Sequence, residues 1–593
     1  MIETLATAHV CTYDKQMVLS SPRIAPALCA FIVAGTLSAQ TSIAVPPVKS
    51  TLANLKVVTP VVDCPQLQSF DLSTAVGAKT KIREVTAMPD ARPAGYCRIL
   101  GTIDPAIQFE VRLPLSSWTQ RFLETGCGGL CGNLNINVSG TTGCAPATNG
   151  EIALASTDMG HSNGPGRGNG DPTWAADNPQ TQIDFAYRAE HLTALAAKAL
   201  IGKYYGQKPA YSYFSGCSDG GREALMEAQR YPEDFNGIAA GAPAMNFITQ
   251  NTFYHGWNAR MNTAADGSVI LSADKLPILH KAVVDACDEL DGLKDGLISF
   301  PPACKFDTAT IICKPGQDAA TCLTPAQANT AKEIYRGAHD EKGNQFVISG
   351  PQPGSELAWA GVYVPQAAGG TIFSTGIALG TIRYLAYAKP LAADFPLSSF
   401  QFTQANFDAI KPMHAIYDAT DPDLSKFQSA GGKLLMYHGW SDPHISPLNS
   451  IAYYTAMQKA MGEAKVNQFS RLYLFPGGYH CNGGDGPFDF ALLNSLMSWV
   501  EGNTAPDAIV AAHSQGGGRG GRGGGVTDRT RPVYPYPAIA AYKGTGDMND
   551  AANFESRPGT KLTAAQLNWQ GASFYSANYE KWCDWNSTAM TCK

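Results

Sequence analysis

The chain has 593 residues, 44% hydrophobic and 16% charged, with a formal net charge of −6. Its length exceeds one simple layered domain and suffices for a large core plus an inserted one. The composition excludes intrinsic disorder, and without a basic stripe to neutralise phosphates no nucleic-acid partner is expected.

From the N-terminus, Arg23, the apolar run Ala25 to Leu37 and the small pair Ser38-Ala39 read as a signal peptide over residues 1–39. Met17 suits its start better than Met1, and a buried helix is the alternative. The run is too short to span a bilayer, and no other stretch approaches ~18 uninterrupted apolar residues. A secreted or periplasmic protein with no membrane partner is therefore expected. Fifteen cysteines agree with an oxidising compartment.

Residues 40–60 read as a linker. Alternating stretches between 96 and 125 read as strands, Phe185 to Tyr205 as a helix, and Tyr211 to Phe214, Gly221 to Arg230 and Gly237 to Ala240 as strand, helix and strand. That alternation marks a parallel α/β sheet. It lapses over 243–428 and returns at Gly432-Lys-Leu-Leu-Met-Tyr-His-Gly and Arg471-Leu-Tyr-Leu-Phe-Pro-Gly. The expected architecture is one α/β domain in two parts, 61–242 and 429–593, interrupted by a lid over 243–428. Gly516 to Gly525, within a Gly/Arg-rich loop over 514–525, reads as low-complexity surface chain; its two arginines are too few for RNA binding.

Gly216-Cys217-Ser218-Asp219-Gly220 fits G-x-S-x-G between a strand and a helix. That turn lifts a serine hydroxyl clear of the sheet and aims the helix's free N–H groups at a developing oxyanion. An acid and a histidine are then expected after later strands. His480 and Asp442 follow the strands at 471 and 433, with His438 and His444, and Asp485 or Asp489, as competitors. Cys217 directly precedes Ser218 and Cys481 directly follows His480. If these two are bonded, their Cα atoms lie roughly 4.4–6.8 Å apart, which makes Ser218 and His480 spatial neighbours.

These residues, with Gly216-Cys-Ser-Asp-Gly-Gly-Arg, Gly237-Ile-Ala-Ala-Gly-Ala-Pro, Tyr437-His-Gly-Trp-Ser-Asp and Pro476-Gly-Gly-Tyr-His-Cys, resemble the tannase/feruloyl esterase family, which also contains mono(hydroxyethyl) terephthalate hydrolase. The resemblance runs from about residue 60 to 560. It implies an α/β-hydrolase fold with a large inserted lid, a catalytic triad of Ser218, Asp442 and His480, a Cys217–Cys481 disulfide, and an oxyanion hole from the backbone N–H groups of Gly126 and Asp219. Family pairing further implies Cys64–Cys97, Cys287–Cys304 and Cys313–Cys322. Proximity suggests Cys583–Cys592, which leaves Cys127, Cys131 and Cys144 as an odd set.

Asp288, Asp291 and Asp295 stand at i, i+3 and i+7 among glycines, and the carbonyls of Leu293 and Leu297 lie within the same loop. Hard oxygens at this density suit Ca2+, although the residues alone leave a solvated acidic turn as the alternative. The resemblance implies a structural calcium ion at this lid loop.

The implied activity is hydrolysis of small aromatic esters, with feruloyl, caffeoyl or galloyl esters in first place. In the lid stretch Phe373 to Tyr384, a glycine stands near the place of the arginine that clamps the terephthalate carboxylate in the related hydrolase, and Arg383 maps to a more structural arginine. A terephthalate monoester is therefore the second choice. An acyltransferase or a non-catalytic binding protein on the same scaffold are the alternatives of another class. The sequence does not specify an oligomeric state.

Overall fold

A computed structural model describes residues 43–46, 50–163, 170–367, 369–515, 526–576, 579, 583–585 and 590–592. The expected signal peptide and the glycine-rich run 516–525 lie outside these residues.

The organising element is a nine-stranded sheet. Its strands are β1 (Thr80–Met88), β2 (Tyr96–Ile103), β3 (Ile107–Pro114), β4 (Arg121–Thr125), β5 (Ile152–Thr157), β6 (Tyr211–Cys217), β7 (Gly237–Gly241), β8 (Lys433–Gly439) and β9 (Ser470–Phe475). They lie in the order β1-β2-β3-β5-β4-β6-β7-β8-β9. The first pairings are antiparallel, and from β5 through β4 to β9 every pairing is parallel. Parallel strands covered on both faces read as unbroken apolar runs. Every residue of β7 is buried, and so is all of β8 except Lys433.

Helices cover the sheet. Helix α1 (Ala189–Tyr205) has eleven buried residues, and α2 (Asp219–Arg230) buries all but its last residue. The chain leaves the sheet after β7 and returns at β8, so the segment between them is an insertion. It contains helices such as α3 (Phe373–Tyr384) and, among the described residues, no strand, and it carries an apolar cluster of its own around Trp359 and Tyr363. This agrees with the expected α/β sheet with an inserted lid.

The expected linker is different from its reading. Residues 50–62 run along the fold as an extended segment: Val58 N–H donates to the Trp118 carbonyl at 2.9 Å and Val61 N–H to that of Tyr204 at 2.8 Å. Ala53 N–H reaches Glu501 Oε2 at 2.8 Å, and the same carboxylate holds buried Arg121. Backbone groups satisfied this way leave no trace in side-chain periodicity.

Candidate active site

Ser218 sits between β6 and α2 with φ 66° and ψ −121°, a conformation that non-glycine residues rarely adopt. Packing enforces the turn. A Cβ on Gly216 would fall 2.3 Å from the Gly220 carbonyl oxygen, and one on Gly221 would fall 2.3 Å from that of Gly241. Ser218 N–H donates to the Gly241 carbonyl at 3.0 Å, which ties the turn to the end of β7.

Beneath the turn, Arg222 clamps Asp219 through two hydrogen bonds of 2.6 and 3.0 Å and donates to the Ala186 carbonyl at 2.8 Å. Both residues are buried. The guanidinium lies over the rings of Phe185 and Phe247, so the start of α2 is fixed by charge and by packing.

Asp442 and His480 follow β8 and β9, at the same sheet edge. Asp442 is fully buried and receives four donors. Its Oδ2 meets His480 Nδ1 at 2.7 Å and His438 Nε2 at 3.0 Å; its Oδ1 accepts the N–H groups of His444 at 2.7 Å and Ile445 at 3.1 Å. Burial alone would push this carboxyl up, but the charges and hydrogen bonds of His480 and His438 outweigh it and hold it far below the usual range.

Three of the competitors are committed to other partners. His438 is sealed from solvent, with its other nitrogen on Ser450 Oγ at 2.8 Å. The His480 side chain keeps 17% exposure and uses only Nδ1 on the aspartate. Asp485 accepts the Tyr479 hydroxyl, and Asp489 faces Thr142.

Cys217 and Cys481 are bonded, with Cα atoms 5.9 Å apart. The bridge closes a separation of 264 residues, for which chain entropy gives on the order of 5 kcal/mol of stabilisation. Cys64–Cys97, Cys287–Cys304 and Cys313–Cys322 are also bonded. Cys583 is disulfide-bonded and stands opposite Cys592 in a short antiparallel pair. The odd set resolves into Cys127–Cys131 and a free, buried Cys144.

One expected role needs correction. The Gly126 N–H donates to the Ser215 carbonyl at 3.1 Å, so it is spent between β4 and β6 and cannot serve an oxyanion. The next amide, Cys127 N–H, donates to Glu223 Oε2 at 3.0 Å. Gly128 is the first residue of this loop with an uncommitted amide among the described residues, and a Cβ there would meet nothing within 4 Å. Asp219, first in its helix, keeps its N–H free of the helix ladder.

Sequence reasoning missed what supports this loop. Glu223, Glu190 and Glu124 are buried, and Glu190 lies within hydrogen-bonding reach of both others. As carboxylates, Glu124 and Glu190 would have no donor for any oxygen. Burial, reinforced by neighbouring carboxyls, pushes all three well above the usual range, which favours the neutral acid form. Nothing in the sequence signals this, because glutamates ordinarily face water.

In the lid loop, Asp288 accepts the N–H groups of Asp295 (3.2 Å) and Gly296 (2.9 Å), and Asp291 accepts Leu293 N–H (2.9 Å) and Ser299 Oγ (2.5 Å). Asp295 accepts Leu297 N–H and forms a buried ion pair with Arg531. Arg531 thus offsets one of three carboxylates, while Asp288 and Asp291 have only amide and hydroxyl donors. The donor set fits a hard cation in kind. The loop also adjoins the histidine-bearing segment: Leu297 Cδ2 lies 2.7 Å from where a Cβ on Gly477 would stand.

The sheet order and the strained serine turn at its parallel edge define the class, an α/β-hydrolase-fold enzyme. The profile of the family described as "Tannase and feruloyl esterase" matches residues 92–557. The mono(2-hydroxyethyl) terephthalate hydrolase of Piscinibacter sakaiensis is 32% identical over 79% of this chain and 87% of its own. A probable feruloyl esterase B-2 of Aspergillus fumigatus is 32% identical over 78% and 86%. The crystal structure of feruloyl esterase B from Aspergillus oryzae superposes with a TM-score of 0.69 at 28% identity, covering 81% of this chain and 97% of that one. The chain belongs to the tannase and feruloyl esterase family and is a carboxylic ester hydrolase.

Proposed function

We propose that this protein is an exported serine esterase that hydrolyses small phenolic acid esters of the feruloyl, caffeoyl or galloyl type. The observation that carries the mechanism is the meeting of a strained serine turn, a partly exposed imidazole and a buried, four-donor carboxylate at one sheet edge, cross-linked through Cys217–Cys481. In this reading His480 Nε2 takes the Ser218 proton, and Asp442 fixes the tautomer and stabilises the imidazolium. Ser218 attacks the ester carbonyl, and the N–H groups of Asp219 and Gly128 receive the oxyanion. The alcohol leaves with the proton from His480, and water then cleaves the acyl-enzyme with His480 again as base. Each oxyanion donor is worth roughly 3–4 kcal/mol in such sites.

Export rests on the signal-like N-terminus and on the disulfides. We assign Asp288, Asp291 and Asp295, with the carbonyls of Leu293 and Leu297, to a structural calcium ion, supported by their hard oxygen donors and by the two carboxylates that Arg531 does not offset. Calcium would supply that missing positive charge; no step of the reaction passes through it.

The test is hydrolysis of methyl ferulate, methyl caffeate, methyl gallate and mono(2-hydroxyethyl) terephthalate by the wild type and Ser218→Ala. Cleavage of a phenolic ester is expected, with a loss of about 10^6 in kcat for the variant. A wild type that cleaves only the terephthalate ester would overturn the substrate reading. A protein idle on all four whose Ser218 still labels with a fluorophosphonate would keep the nucleophile and lose the phenolic substrate.

A further inference from the structure

An aromatic wall runs from the imidazole of His480 into the lid. The His444 ring centroid lies 4.7 Å from that of His480, Phe373 lies 4.8 Å from His444 edge-on, and His255 lies 5.3 Å from Phe373. Phe373 opens α3 and is 41% exposed, unusual for so large an apolar ring.

His255 terminates the wall. It is 2% exposed, and its Nδ1 lies 2.8 Å from Ser374 Oγ, the residue after Phe373. Its Nε2 takes no protein partner among the described residues. Burial, and secondarily the charge of His480, lowers the imidazole to about 3, so the ring is neutral at working pH.

Arg260, one helical turn along from His255, donates to the carbonyls of Leu397 and Ser398, and Arg383, on the Phe373 helix, donates twice to that of Phe395. A distal carboxylate on the acyl group would lie against a neutral imidazole, while both arginines spend their donors on backbone carbonyls, so its desolvation would go uncompensated by His255. A phenolic hydroxyl both donates and accepts, so it matches a neutral imidazole in either tautomer.

We infer that His255, oriented by Ser374, is a specificity residue that hydrogen-bonds the ring hydroxyl of an aromatic acyl group packed along His444 and Phe373. This deepens the phenolic-ester reading and rests on it. In a site built around such a bond, the analogue lacking the hydroxyl leaves a polar group unpaired.

The experiment compares kcat/KM for methyl p-coumarate with that for methyl cinnamate, which lacks only the hydroxyl. The wild type should favour the coumarate, and His255→Leu should lower that ratio about tenfold, the worth of one neutral hydrogen bond. His255→Gln, which keeps a donor and an acceptor, should recover part of it, and Ser374→Ala should lower it less than the leucine variant. Thermal melting of each variant separates folding from recognition. Equal losses on both esters in His255→Leu would make the residue merely structural and overturn the assignment. A wild type that cleaves both esters equally would overturn it while leaving the esterase reading intact; one that cleaves neither would remove both.

Discussion

Asp442 concentrates the electrostatics of the site. One carboxylate serves two imidazoles and two amides, so its charge and its acceptor capacity are both fully used. An amide in its place would turn an N–H2 towards an imidazole that needs an acceptor. Asp442→Asn is expected to lose about 10^4 in kcat with the fold intact; a melting curve beside a burst-phase assay checks both. The gathering of Asp442, Ser218 and His480 at one sheet edge was legible because each stands in a motif at a strand end and because cysteines flank two of them. The Gly126 assignment failed because hydrogen-bond commitment is a property of the folded ladder; nothing in a Gly-Cys-Gly-Gly string says which amide the neighbouring strand has taken. His255 was equally silent, as one histidine among eleven with its meaning set by a lid helix 118 positions later.

At the scale of elements, β6, β8 and β9 each deliver one member of the site to the same edge, and their apolar runs made that arrangement readable. The lid was legible only as a break in the pattern, because its short helices are held by long-range packing and lack strong periodicity of their own. Its acidic loop leans on Gly477, three residues before His480. If calcium fills the loop as proposed, chelation with EGTA should lower Tm by several degrees, and Asp291→Asn should melt at that lower temperature with or without calcium. Identical melting of wild-type protein in EGTA and in excess calcium would remove the assignment.

Across the whole molecule, buried ionisable groups pull stability in opposite directions. Glu124, Glu190 and Glu223 are raised from an ordinary value of 4.5, so above that pH the unfolded chain sheds protons that the fold retains. Stability therefore declines as pH rises from 4.5 towards their folded values. His161 and His255 are lowered from 6.5 to about 4 and about 3. Their contribution is complete above pH 6.5 and is lost as pH falls through these folded values. Glu190→Gln, neutral at every pH, should flatten the alkaline fall of Tm between pH 5 and 9; an unchanged slope would mean the acid chain is ionised in the fold.

The free thiol of Cys144 bears on how this molecule can be followed. It is sealed in the interior, with its sulfur 3.8 Å from that of Met497 and its ionisation suppressed by burial. An alkylating reagent added to the mature, oxidised protein finds that thiol only in molecules that have opened. At reagent concentrations where alkylation outpaces reclosing, mass added per unit time thus counts openings of the core, a built-in clock that works while the enzyme is turning over.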